Sequence, residues 1–540
     1  MAMLRRSSSA RSRVVIVAAL ALIAALVLVP DTRTAAGPSA GQPGGTLVVG
    51  YSRRIDSLDP NVWTSRYDRF WMTQFYDPLI WQTAPGEYRA GLARAWRPNE
   101  NLTRFRLTLR DDIRLHDGTP FDAELLVWTV KRILDKATGS YKTGLFNDMV
   151  RNQAVEKYVW EIEFSKPQYR FMETLSTLDL SPNSPKAIDK HGKNYPRWVV
   201  STGPYMIDSW PDENTLVLKR NPNWKRSPWM DASWGPFLDQ VTIRIIPERS
   251  TRLVALERGE VQMIFEPPFQ NVPKLKTGGQ FQVQQHFTAG LPQGLNINVS
   301  KPPTNDLALR RAMFFAVNRD EINRLAFFGM HRAAYSVLAS ASWAYWPGAK
   351  AMYPFDPQKA RKTLEEAGWV RNPQTRFYEK GGQKSLVRIV TTPGREYEIP
   401  AQRLREAGIE AKYEAMAYEA TETRYDANTY EVARLGLSGF DPAFAMRGAF
   451  HSSNVNRGNR FNRTKIIDPK IDGMLERAEA MFDINQRKAI YEEFQKYVME
   501  QALYLPLWED SYVWIVTSRF RGFEFDILGD PMLHKAWLQR

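Results

Sequence analysis

Strand-like and helix-like segments alternate along this 540-residue chain, which predicts an α/β or α+β fold divided into two or three lobes. Three observations carry that prediction. Apolar or alternating runs of strand length recur from residue 46 onward, capped helical segments stand between them, and the chain is longer than one hydrophobic core usually organises. With 43% hydrophobic residues there is ample material to bury, so disorder is excluded.

The N-terminus comes first. Arg5, Arg6, Arg11 and Arg13 precede an uninterrupted apolar run over 14–29, then Pro30 and small residues ending Thr34-Ala35-Ala36-Gly37. As a helix that run spans about 24 Å, short of the roughly 30 Å hydrocarbon core. A cleaved secretory signal over 1–36 is expected, with a flexible leader over 37–45 rich in glycine and proline. The pair Arg5-Arg6 hints at twin-arginine export, but Ser7, Ser8 and Ser9 follow it. No comparable apolar run follows, which predicts a soluble mature chain.

Strands are expected over 46–49, 105–109, 159–164, 216–218, 241–246, 386–390 and 432–435. Helices are expected over 251–259, 306–317, 357–367 and 484–497. At the third of these, Asp356 caps, Pro357 starts, Ala360 and Leu364 recur at helical spacing, and Gly368 ends the segment. At 115–124 a strand turns into a helix: Thr119 is placed to cap it, Pro120 suits its first position, and Asp122 and Glu124 suit its positive end. His116 reads as part of that turn. No internal repeat or low-complexity tract interrupts the folded part.

Composition narrows the chemistry. The chain has no cysteine, so disulfides, thiolate metal sites, cysteine nucleophiles and a lipid-modified N-terminal cysteine are all excluded. The net charge of +14 falls to +10 without residues 1–36, which hold five arginines and one aspartate. Its cations are scattered except for Arg457, Arg460, Arg463 and Lys465, a cluster interleaved with asparagines and Phe461. Such a cluster suits single-stranded nucleic acid, but export argues against that partner. The six histidines lie far apart with no helical ligand spacing, and there is no nucleophile elbow, zinc-protease helix, phosphate loop or dinucleotide glycine pattern. Glu365-Glu366 and Glu492-Glu493 point to different sides of their helices. An enzyme, such as an exported hydrolase, is therefore disfavoured, and no cofactor or metal is expected.

Several short segments form an ordered series. Leu58-Asp59-Pro60 and Phe75-Tyr76-Asp77-Pro78-Leu79 come first, then Leu92 to Trp96 and His116 to Glu124. Thr202-Gly203-Pro204-Tyr205 follows, then Arg252 to Met263, Asn296 with Pro302-Pro303 and Asp306, and Arg310-Arg311-Ala312 leading to Ala316-Val317-Asn318-Arg319. The segments 360–369 and 491–506 complete the series. In this order they resemble the blocks of the family 5 extracellular solute-binding proteins, the peptide and nickel-chelate receptors of ABC importers. Each is weak alone, but their joint order over more than 400 residues is not a chance agreement.

The resemblance implies an α/β, two-lobed periplasmic binding protein (type II, cluster C) with an additional α/β domain on one lobe. Lobe I would span 46–290 with the extra domain inserted at about 80–190, lobe II would span 291–500, and 501–540 would return to lobe I. A ligand held between lobes would shift an open population toward a closed one, which the ABC permease and ATPase complex of the inner membrane then recognises. A monomeric, freely diffusing periplasmic receptor is implied, with a peptide as the leading ligand and a metal chelate, sugar or opine-like compound as the alternative. A receptor that signals or acts as a chaperone has the same sequence features.

The chain departs from the family in three places. Leu125 and Gln262 replace acids in scaffold blocks. In the family's peptide receptors one strand ends in Trp, and an Asp that pairs with the peptide ammonium precedes a second Asp-Pro pair; here the positions read Leu437, Ser438, Gly439, Phe440, Asp441 and Pro442, with a shorter loop and one acid. Asp441 either anchors an amine or caps the next helix. Arg434 matches a position that contacts ligand carboxylate, or it forms an ion pair between lobes. Ser438, Gly439 and Phe440 are candidates by their place in that loop. Among aromatic residues at turn-like positions, Trp63, Tyr67, Trp71, Trp343, Tyr345 and Trp346 are suited to stacking on a ligand, and Tyr67, Trp343 and Trp346 are retained as site candidates.

Overall fold

The computed structural model describes residues 41–62, 65–455 and 461–540. The expected signal sequence, residues 37–40 of the leader, Trp63 and the cations Arg457 and Arg460 lie outside them.

The first lobe is built on a seven-stranded mixed sheet. Thr46–Tyr51 runs at its centre, parallel to Gln240–Ile245 on one side and to Met263–Phe265 on the other. Antiparallel strands Thr215–Arg220 and Tyr205–Asp212 extend one edge, while Ser511–Thr517 and Phe281–Phe287 extend the other. Leu47, Val49 and Tyr51 are fully buried at alternate positions, as the period of two requires. They meet a core of interlocking rings in which Trp71 stands edge-on to Tyr51 at 5.3 Å and Trp514 lies 4.5 Å from Phe265. Trp71, expected at a turn-like position suited to ligand stacking, is instead fully buried here, because its helix Arg66–Met72 presents that side to the sheet.

The second lobe is built on a six-stranded sheet, ordered Arg332–Ala333, Tyr504–Glu509, Gly290–Ile297, Val432–Ser438, Val387–Thr391 and Ala411–Ala415. Helices Leu307–Ala316, Pro357–Glu366 and Ile484–Glu500 bury their apolar stripes in its core. Asp306 and Asp356 cap the first two, as their sequence positions require.

The extra domain carries a four-stranded antiparallel sheet, Ala93–Pro98, Arg104–Leu109, Val159–Phe164 and Met149–Glu156, covered by helix Ala123–Leu134. That helix begins later than the sequence predicts. Its cap is Asp122, which accepts from the Leu125 N–H at 3.1 Å, because Thr119 is consumed in a tight turn where its carbonyl takes the Leu115 N–H. His116 belongs to that turn as expected. Its Nε2 donates to the Gly203 carbonyl at 3.0 Å and its Nδ1 accepts from Ser201, an arrangement for a neutral ring, and burial pushes its pKa down to about 4. Gly203 is fixed by crowding, since a Cβ there would lie 2.3 Å from the Phe75 backbone.

The chain crosses between the two large sheets twice. Phe281–Phe287 leads through Thr288 and Ala289 into Gly290–Ile297, and Tyr504–Glu509 leads through Asp510 into Ser511–Thr517. The return to lobe I is expected from 501; Tyr504–Glu509 pairs with Gly290–Ile297, and the chain changes sheet at Asp510. At the first crossing Gly290 has φ +104°, and a Cβ there would lie 2.3 Å from the Leu437 carbonyl oxygen, so only glycine fits.

Candidate ligand-binding cleft

Three adjoining cavities run along the junction of the two lobes and the extra domain. The largest, about 280 Å³, has the extra domain on one wall, with Tyr88, Tyr169, Arg170 and Glu173, and the second lobe on the other, with Trp343, Phe440, Asp441 and Arg487. A second, about 30 Å³, shares Gln82 and Glu173 with it and reaches the loop 526–528. The third, about 60 Å³, shares that loop's Ile527 and Leu528 with the second and Phe440 with the first, and adds Arg66, His286, Ser438 and Gly439.

Helix geometry places the charges of the main cavity. Pro442–Phe450 starts at Asp441, whose Oδ1 accepts the Ala443 N–H at 2.9 Å. Arg487, in the first turn of Ile484–Glu500, points its Nη2 at both oxygens of Asp441, at 2.8 and 2.7 Å. On the opposite wall Arg170 sits at the head of Phe171–Ser176 and donates through Nε and Nη2 to Glu173 Oε2, each at 3.2 Å. Burial raises the Glu173 pKa; Arg170 and Arg487 lower it, and Asp441 raises it further.

A second charged group underlies the smaller cavities. Fully buried Asp530 accepts from Arg69 Nε at 2.7 Å and pairs with Arg66 Nη1 at 2.8 Å. Asp526 Oδ1 accepts the N–H groups of Leu528 and Asp530, closing the loop that forms the cavity floor. Burial, with Asp530 beside it, pushes the Asp526 carboxyl up to about 7. His286 is pushed down to about 4 by burial and by Arg66.

The structure gathers most of the sequence candidates along this seam. Asp441, Phe440 and Trp343 line the main cavity, and Ser438, Gly439 and Phe440 line the third. Trp343 stands edge-on to Tyr491 at 6.0 Å, with the Arg487 guanidinium 5.3 Å from its ring. Three candidates lie apart from the three cavities. The Arg434 guanidinium sits 5.7 Å from the Tyr418 ring and interacts with Tyr397, both in its own lobe. Trp346 covers Gly348 and donates its backbone N–H to Gln495. Tyr67 lies under the Arg53 guanidinium, 3.8 Å away.

Glu173, Arg170, Arg487, Arg66, Arg69, Asp526 and Asp530 were missed in the sequence. Each reads locally as an ordinary helix or loop charge, and only tertiary folding converges them. Asp526 and Asp530, four residues apart beside Gly529, gave the one local signal, that of a tight acidic turn.

The fold is shared with known proteins. Glutathione-binding protein GsiB of Escherichia coli (strain K12) is 23% identical over 484 residues, covering 88% of this chain and 91% of the relative. Among solved structures, the ABC transporter-associated periplasmic binding protein DppA from Helicobacter pylori, in complex with peptide STSA, superposes with a TM-score of 0.73 at 22% identity, covering 92% of this chain and 99% of that one. NikA from Brucella suis, in complex with Fe(III)-EDTA, superposes with a TM-score of 0.78 at 20% identity, covering 92% and 100%. These likenesses establish the two-lobed fold. The family described as bacterial extracellular solute-binding proteins, family 5 Middle, matches residues 87–457, more than half of the sequence, and the chain belongs to that family.

Proposed function

We propose that this chain is the periplasmic substrate-binding protein of an ABC importer, closing its lobes on a short peptide and delivering it to the membrane permease and its ATPase. The observation that carries the reading is the main cavity. It combines two cations, Arg170 and Arg487, with Glu173 and Asp441 between aromatic walls, a lining suited to a solute that bears both an ammonium and a carboxylate. A volume of about 280 Å³ is small for such a site and favours a ligand of a few residues. The peptide-bound DppA and the glutathione-binding relative support the same ligand class.

In this reading lobe I comprises 46–287 and 511–540 with the extra domain at about 80–190, lobe II comprises 290–509, and the crossings at 288–289 and 510 bend on closure. Residues 1–36 direct export and are removed, and the mature monomer diffuses in the periplasm without a lipid anchor. Phe440, Trp343, Ser438 and Gly439 form the ligand site, with Asp441 in its wall, and no catalytic step takes place there. Arg434, Trp346 and Tyr67 support it from within their lobes.

One observation favours a different solute. Both oxygens of Asp441 are taken by Arg487, so the family's amine anchor is not free, which suits a chelate or other non-peptide ligand. Native mass spectrometry of protein purified from its own host separates the readings, followed by calorimetry with a pool of di- to pentapeptides. A retained peptide mass, with heat and a raised melting temperature on adding the pool, is expected. A retained metal chelate or sugar, with no response to peptides, would overturn the peptide reading.

A further inference from the structure

The hydrogen bonds of the main cavity are distributed unequally between its two acids. Asp441 is 7% exposed, accepts Arg487 Nη2 on both oxygens, and spends Oδ1 again on the Ala443 N–H. Its charge is neutralised and its lone pairs are largely committed to holding a helix start and an ion pair within one lobe. Glu173 differs. Its Oε2 takes both bonds from Arg170, its Oε1 accepts no hydrogen bond from the described residues, and its side chain keeps 21% of its exposure on the wall of the same cavity.

Electrostatics separates the two further. Glu173 lies within reach of Asp441, and its carboxylate is disfavoured by burial and by that like charge despite Arg170. A cation arriving at Oε1 relieves both penalties, whereas a cation arriving at Asp441 must first displace Arg487. The rings of Tyr88, Tyr169, Trp343 and Phe440 line the same cavity, a setting that also favours an ammonium group.

We infer that Glu173, on the extra domain, is the residue that anchors the ligand's free ammonium group, and that Asp441 holds the second lobe's wall in place instead of meeting the ligand. The assignment rests on the proposal that the ligand is a short peptide. It gives the extra domain a direct part in recognition, and it makes the free amine a specificity determinant read by Glu173.

Calorimetry on the full mature chain tests this with two probes: a pool of free dipeptides and the same pool N-acetylated. The wild type should prefer the free pool. Glu173→Gln should weaken binding of the free pool by about 10- to 100-fold, the worth of one charge-assisted hydrogen bond, and leave the acetylated pool unchanged. Glu173→Asp, which keeps the charge but shortens the reach, should fall between them and guards against a folding defect in the first variant. Asp441→Asn should lower the melting temperature and keep the preference for free amines. A Glu173→Gln variant with undiminished preference, or an Asp441→Asn variant that loses it, would overturn the assignment while leaving the peptide reading intact. Silence of the wild type toward both pools would overturn the peptide reading and this assignment with it.

Discussion

Thr288 donates its backbone N–H to the Asp510 carbonyl at 3.0 Å, so the two points where the chain crosses between lobes are tied to each other. The Thr288 hydroxyl reaches the same carbonyl at 3.3 Å. Asp510 is itself fixed from the second lobe, where Gln293 Nε2 and Trp508 Nε1 donate to its two carboxylate oxygens at 2.8 and 2.7 Å. Crossings joined in this way are mechanically coupled, because displacing one pulls on the other.

Asp510→Ala removes that fixture and leaves two donors, buried Trp508 and half-buried Gln293, without their acceptor. It should lower the unfolding free energy by about 2 kcal/mol in urea titrations and weaken retention of the native ligand, because the two crossings are then less firmly held to the second sheet. A stability within about 0.5 kcal/mol of wild type would show that Asp510 does not anchor the crossing.

Arg487 and Asp441 form a pair in which each partner keeps little exposure, 14% and 9% of the side chain. Arg487→Met strands the carboxylate in the cavity wall and should cost about 3 kcal/mol. Adding Asp441→Asn removes the stranded charge but keeps an oxygen for the helix cap, so the double variant should recover about 1 kcal/mol or more. Chemical denaturation of the two single variants and the double one measures that coupling, and strict additivity would mean that no pair exists in solution.

The elements were more legible than their partners. Helix starts at Asp306 and Asp356 are local chemistry, so the sequence alone locates them. Residue 119 misleads because threonine suits both a cap and a tight turn, and a backbone bond to Leu115 decides for the turn. The boundary at 510 is hidden because 503–508 is a continuous apolar run that either sheet could accept. The cavity is the least legible feature. The candidates at 438–441 follow from the family resemblance, but the carboxylate of Glu173 comes from another domain and Arg487 lies on a helix that shows no local sign of a partner.

Gly290 gives the backbone counterpart. With φ +104° and the Leu437 carbonyl oxygen 2.3 Å from any Cβ, Gly290→Ala is strained by conformation and by clash together. It should destabilise by about 3 kcal/mol and displace the neighbouring loop at Ser438, with which Gly290 is paired. Melting by circular dichroism checks the stability. Ligand retention should fall as well, since Ser438 and Gly439 line the cleft.

Asp68 offers a titration prediction. It is 1% exposed, its Oδ1 accepts the Asp56 N–H at 3.3 Å, and its Oδ2 has no hydrogen-bond partner among the described residues. Burial pushes its carboxyl up to about 7, with Asp56 adding to the shift. Because the folded pKa lies above the unfolded value near 4, the fold binds the proton more tightly, and this contribution is complete below about pH 4 and lost as pH rises through about 7. Asp68→Asn carries no charge at any pH, so its stability relative to wild type should improve by about 2–4 kcal/mol between pH 4 and pH 8. Comparing the two proteins cancels the titration of every other group. Urea titrations at pH 4, 6 and 8 measure the difference, and a constant offset across that range would mean that Asp68 is ionised in the folded protein throughout.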